Sequence, residues 1–239
     1  MANSQIEGQL SAGERQRLTA AVLEAPQKPR VVIEVGTWLG GGSTLHILRA
    51  LERNGEGHLW GVEADRSIYQ RMLANLQAAA PEVCHRFTPL FGYSDDVIPQ
   101  WLAERGPAVQ VDLAFLDGGN NPGEQVMEFH LLDPHIPVGG QLMAHDARVR
   151  KGKWLVPYLS RLDHWQVQLI DESEVGLLHA GKRALQPSKA SRRAARAFLM
   201  RQRCNPVEIA AALLPSPVCG WVLKRLPQRL ARSLSEGCK

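Results

Sequence analysis

The sequence has little cysteine and none of what cysteine would build. Its four cysteines, Cys84, Cys204, Cys219 and Cys238, are scattered over 239 residues without a CxxC pair. That argues against a zinc site and against a disulfide framework, and makes a reducing, cytoplasmic setting the expectation. No apolar run approaches the roughly 20 residues needed to cross a bilayer. The opening MANSQIEGQL lacks the basic and apolar segments of a secretory signal. Internal repeats and low-complexity tracts are also missing. What is present is a chain with 44% hydrophobic residues. That supports a large core, organised as one α/β domain with an appendage or two small domains.

Charge is divided unevenly. Residues 181–239 carry 13 Lys+Arg against 2 Asp+Glu, a balance of +11, whereas residues 1–180 carry 15 against 22, a balance of −7. An acidic body with a basic tail suggests two physical jobs, or one fold with a charged extension.

Apolar runs and helical patterns alternate along the body. Ser11–Leu23 reads as a helix, with Ser11 as N-cap and Glu14 placed to close a capping box. Arg30–Val35 is a short apolar run ended by glycine, the signature of a strand buried on both faces of a parallel sheet. The spacing then predicts helix over Ser43–Arg53, strand over His58–Val62, helix over Arg66–Ala79 and a strand ending near Phe91. Helix follows over Asp95–Arg105, strand over Val111–Leu116, helix over Asn121–Leu132, strand over Gln141–Ala144 and helix over Lys151–Leu162. Such repetition implies right-handed crossovers and a doubly wound, mostly parallel sheet. Trp165–Ile170 and Val175–Ala180 are joined by too few residues for a helical crossover, so they are expected to form an antiparallel hairpin at the sheet edge. With it the sheet has seven strands, a Rossmann-like arrangement.

Two motifs sit where a ligand would bind such a sheet. Glycines follow the first strand directly in Glu34-Val-Gly-Thr-Trp-Leu-Gly-Gly-Gly-Ser-Thr44. They let the backbone approach a ligand closely, and the free N–H groups of the next helix favour an anionic group. The order Gly36-xxx-Gly40-Gly41-Gly42 departs from the GxGxxG of nicotinamide-binding proteins. Glu63, at the end of the second strand, is spaced to accept both hydroxyls of a ribose. Asp65 is better explained as the N-cap of the helix from Arg66.

Taken together, these segments resemble the catechol O-methyltransferases, class I enzymes that use S-adenosylmethionine (SAM). The likeness rests on Phe91–Trp101, on Val111-Asp-Leu-Ala-Phe-Leu-Asp-Gly118, on Pro137–Asp146 and on the glycine loop, and spans roughly residues 10–180. It implies that Glu34, Gly36, Thr37, Trp38 and Ser43 surround the methionine part of SAM, with Gly40 in the same loop. Glu63 would hold the ribose, Ser94 and Asp95 would lie beside the adenine, and Asp117 would stand near the sulfonium and the acceptor. It further implies a magnesium or other divalent ion on Asp117 and Asp146, although Ala147 fills the place of the third ligand. The family's catalytic lysine would fall near Asn120, which cannot act as a base.

The expected reaction is in-line attack of an acceptor oxygen, on a small molecule or a sugar, at the SAM methyl group. Asp117 and Asp146 through a metal, or His145 as a side-chain base, are the candidates for handling the acceptor proton. His130 is read as a core or surface histidine. Asn120 and Asn121 fit substrate binding and turn chemistry equally well. The competing readings are a nicotinamide dehydrogenase, disfavoured by the glycine spacing, and a non-catalytic SAM-fold module acting through its tail.

The division expected is a methyltransferase domain over 1–182 and a basic helical extension over 183–239. Ser188–Gln202, Pro206–Leu214 and Pro217–Leu234 read as its helices. The extension is expected to pack on the body or on a second copy in a homo-oligomer, with contact to an anionic surface or partner as the sharper alternative. No aromatic ladder for bases accompanies its charge, which argues against nucleic acid.

Overall fold

The structure is a computed structural model and describes residues 6–204. Seven strands alternate with helices: β1 (Val31–Val35), β2 (His58–Glu63), β3 (Phe87–Phe91), β4 (Leu113–Leu116), β5 (Gln141–Ala144), β6 (Trp165–Ile170) and β7 (Leu177–Lys182). They form one sheet in the order β3-β2-β1-β4-β5-β7-β6. β3, β2, β1, β4 and β5 are mutually parallel, while β7 runs antiparallel to both β5 and β6. The edge hairpin expected from the short 171–174 connection is therefore present, with β7 as its inner strand.

The helices are α1 (Ala12–Leu23), α2 (Thr44–Asn54), α3 (Arg66–Ala79), α4 (Ser94–Arg105), α5 (Pro122–Leu132), α6 (Leu155–Leu159) and α7 (Lys189–Arg203). Successive strand residues point to opposite faces, and here both faces are apolar. Val32, Leu113, Phe115 and Met143 pack with α1, α2 and α3 through Leu18, Leu48 and Met72. Ile33, Ala114, Leu116 and Leu142 pack with α4 to α7 through Trp101, Phe129, Leu155 and Leu199. Helices on both sides leave the carboxyl ends of the strands as the place where a cleft can open.

Ser11 caps α1 as its sequence implies. Its Oγ accepts from Glu14 N, and Ser11 N donates to the Glu14 carboxylate, completing the capping box. The helix expected over Lys151–Leu162 is shorter. A 3-10 turn covers Lys151–Lys153 and the α-helix only Leu155–Leu159, because Pro157 lacks an N–H and Gly152 does not favour helix. β7 starts two residues later than its apolar run suggests, since Gly176, at φ 72°, belongs to the turn.

α7 is the described part of the basic extension. Ser188 caps it, its Oγ accepting from Ser191 N. Ala195 and Leu199 are buried in the core of the body, and Arg161 lies over the Phe198 ring at 4.5 Å. The two later helices expected over Pro206–Leu214 and Pro217–Leu234 lie outside the described residues. No helix among the described residues is long and apolar enough to cross a membrane.

Candidate active site

A cleft of about 790 Å³ opens at the carboxyl ends of β1, β2, β4 and β5, a size usual for small-molecule sites. Of the residues singled out in the sequence, Gly36, Trp38, Glu63, Ser94, Asp95, Asp117 and Asp146 line it, as does Asn120. Glu34, Thr37, Gly40, Ser43 and His145 do not line it and lie buried beneath its wall. Asn121 instead caps α5, its Oδ1 accepting from Gly123 N at 2.9 Å. His130 stands away from the cleft, 2.9 Å from the Tyr158 hydroxyl, with burial pulling its pKa down.

One end of the cleft is built from backbone. Gly36 has φ 88°, a conformation that L side chains avoid, and a Cβ there would collide with the Asp117 carbonyl. Trp38 also adopts a left-handed conformation, φ 45°. Its N–H donates to one oxygen of Glu63 at 3.0 Å, while Asp65 N donates to the other at 3.0 Å. The Glu63 carboxylate is thus fixed at the mouth of β2 with lone pairs left over. Beneath the turn, Glu34 is fully buried and accepts from the Ser43 hydroxyl. Burial pushes its carboxyl up to about 8 against the pull of that hydrogen bond, and the nearby Asp117 and Glu63 charges add to the rise.

Glu128 of α5 was not anticipated. It is 1% exposed yet borders the cleft. It accepts from the Ser94 hydroxyl at 2.7 Å, while its other oxygen has no partner. Burial pushes its carboxyl up to about 7. Gln125, Val126, Phe129 and Leu132 are buried on the same helix, so a carboxylate set within that stripe was the readable signal.

The other end of the cleft is built from charge. Asp117 follows β4 and Asp146 follows β5. His145 Nδ1 lies 3.3 Å from Asp117 Oδ1 and 3.5 Å from Asp146 Oδ1, and its Nε2 lies 3.4 Å from Glu14. Burial works against charge on His145, but Asp117, Asp146 and Glu14 outweigh it and raise its pKa. Lys151, also not anticipated, points its ammonium at both aspartates, 2.6 Å from Asp117 Oδ1 and 3.2 Å from Asp146 Oδ2. Its side chain is 4% exposed. Burial opposes its charge too, and the Asp117 and Asp146 carboxylates overcome this and raise its pKa above the ordinary value.

This cleft and its glycine turn can now be set beside known proteins. Residues 33–147 match a family model described as a methyltransferase domain. A search among curated proteins returns no match. Among solved structures, a Klebsiella pneumoniae protein inferred to be an O-methyltransferase aligns at TM-score 0.60 and 22% identity, covering 74% of this chain and 82% of that one. The O-methyltransferase of Bacillus cereus, in complex with S-adenosylhomocysteine (SAH), aligns at 0.60 and 18%, covering 73% and 83%. A methyltransferase of Podospora anserina, also SAH-bound, aligns at 0.59 and 13%, covering 74% and 80%. The match spans the glycine turn and the ends of β4 and β5 on this seven-stranded sheet, so residues 33–147 carry a methyltransferase domain.

Proposed function

We propose that the chain transfers the SAM methyl group to a hydroxyl oxygen of a small molecule or sugar, held at the Asp117–Asp146 end of the cleft. The observation that carries this reading is the continuity of the cleft from Glu63, through Gly36, to Asp117 and Asp146. SAM laid along it puts its ribose hydroxyls on Glu63, its adenine by Ser94 and Asp95, and its methionine part against Gly36 and Trp38. Glu34, Thr37, Gly40 and Ser43 shape the turn from below. The sulfonium then comes to the boundary between the backbone-built end and the charged end.

There the acceptor oxygen attacks the methyl carbon in line with the C–S bond. That bond breaks with its electron pair going to sulfur, which leaves a neutral thioether. As the C–O bond forms, the hydroxyl becomes strongly acidic, so a carboxylate suffices to take its proton. Asp146, with 23% of its side chain exposed and facing the cleft, suits that role and passes the proton on to water. Positioning supplies most of the rate. His145, behind the cleft wall, orients Asp117 and Asp146 rather than touching the acceptor.

A divalent cation is a poor fit to these residues. Asp117, His145 and Asp146 each offer one ligand atom, all within 4.8 Å of one another. The Lys151 ammonium, however, bonds both of these carboxylates, and Ala147 offers no ligand atom. No step is therefore routed through a metal. Free thiols at Cys84 and Cys204 suit a reducing compartment, and we place the reaction in the cytoplasm.

Calorimetry tests the cofactor half of the reading. Glu63→Ala is expected to weaken SAM binding by about 10- to 100-fold, as for loss of one or two charged hydrogen bonds. Unchanged affinity would remove Glu63 from the ribose site. SAH release across a panel of hydroxyl, amine and thiol acceptors tests the other half, and turnover confined to amines or thiols would overturn the oxygen assignment.

A further inference from the structure

We propose that the Lys151 ammonium replaces the divalent cation in this enzyme, pairing Asp117 with Asp146 and offering a hydrogen bond to the acceptor oxygen, so that methyl transfer proceeds without a metal. The inference rests on the methyltransferase reading of the same cleft.

Three observations carry it. The first is distance: Nζ lies 2.6 Å from one aspartate and 3.2 Å from the other, on carboxylates from two adjacent strand ends. A magnesium or calcium ion bound to those oxygens would sit roughly 2.0–2.6 Å from each, so it and the ammonium would contend for one space. The second is that the backbone is shaped to bring Lys151 there. Asp146 adopts a left-handed conformation at φ 59°, and Gly152 N closes the turn on Asp146 O at 3.1 Å. A Cβ at Gly152 would meet the backbone of Ala147, so the turn is as tight as glycine permits. That turn folds Lys151 back over the end of β5. The third is access: Lys151 is almost wholly buried yet borders the cleft next to Asp117 and Asp146. An ammonium has three donors, and the two aspartates engage two of them. The remaining N–H is available to the oxygen that attacks. Lys151 keeps all its protons through the step. The acceptor proton goes to Asp146, and the C–S electron pair goes to sulfur.

Manganese binding, read by the loss of the free-ion electron paramagnetic resonance signal, tests this without an acceptor. The full-length wild-type protein, mixed with equimolar Mn2+, should leave the free-ion signal undiminished. Lys151→Ala should acquire one Mn2+ site, and Asp146→Asn in that background should abolish it. Lys151→Met, which retains the apolar stem, should gain the same site and serves if the alanine variant does not fold, as judged by circular dichroism. Stoichiometric Mn2+ binding by the wild type that Asp146→Asn removes would overturn the proposal. So would a folded Lys151→Met that binds no Mn2+. Once an acceptor is found, turnover should be unchanged in excess chelator; a loss of about 10-fold or more, restored by magnesium, would also overturn it. A wild-type protein that binds no SAM would defeat the methyltransferase reading alone, since the Mn2+ result does not depend on SAM.

Discussion

Two acidic residues on neighbouring parallel strands solve burial in opposite ways. Asp117, at the end of β4, is flanked by the Lys151 ammonium and by the His145 ring, whose pKa its carboxylate neighbours raise. Glu34, in β1, is fully buried with a serine hydroxyl as its bonded partner, and one of its oxygens has none. A carboxylate bonded to a buried ammonium makes that partner dependent on it. An uncompensated one holds a proton into the neutral range, and this costs stability as pH rises. The Asp117–Asp146 end of the cleft is thus a charge network, whereas the floor beneath the glycine turn tolerates a carboxyl that is scarcely ionised.

Removing each carboxylate should therefore give opposite results. Asp117→Ala takes the nearer carboxylate from the buried Lys151 ammonium and leaves it Asp146 alone, and the expected loss is about 3 kcal/mol of unfolding free energy in urea, with SAM turnover abolished. A loss below about 1 kcal/mol would show that Lys151 finds solvent instead. Glu34→Gln should stabilise. The folded-state pKa of Glu34, about 8, lies above the ordinary carboxyl value of 4.5. Between those values the folded state keeps a proton that the unfolded chain has released, so wild-type stability falls as pH rises through that window. Glutamine has no such slope. Thermal melts of the two proteins should nearly coincide near pH 4.5 and diverge by as much as roughly 4 kcal/mol near pH 8. A wild type that melts higher than Glu34→Gln at pH 8 would mean that Glu34 is ionised and compensated after all.

The same contrast decides what could be read from the sequence. β1, β5 and β6 were legible almost to the residue because apolar runs bounded by glycine and turn residues report strands directly. Gly36 and Glu63 were legible because backbone conformation and strand-end position leave a local mark. α6 was overestimated although Gly152 and Pro157 were in plain view, because the apolar spacing of Trp154, Leu155, Tyr158 and Leu159 looks helical and outweighed them. Lys151 left no local trace. A lysine in a basic stretch is ordinarily solvated, and its place between two strand ends follows from a turn whose geometry only the fold reveals. Glu14 shows the same limit. It reads correctly as the partner of Ser11, but it is 1% exposed and also meets Ser173, 159 residues away, and His145. Long-range pairing of charges is set by topology, and the local sequence carries no record of it.

That double role of Glu14 gives the smallest expected effect and the sharpest discrimination between the two ends. Ser11→Ala removes the hydroxyl that accepts from Glu14 N and its weaker contact to the Glu172 carbonyl at 3.3 Å. Loss of such a cap costs about 1 kcal/mol, or roughly 2–4 °C in Tm for a domain of this size. The Glu14 carboxylate keeps its bonds to Ser11 N and to the Ser173 hydroxyl. It should therefore remain beside His145, and SAM affinity and the absence of Mn2+ binding should both be unchanged. If Ser11→Ala instead opened the site to Mn2+, the charges around Lys151 would depend on the N-terminus of α1, and the acceptor end would extend as far as the first helix.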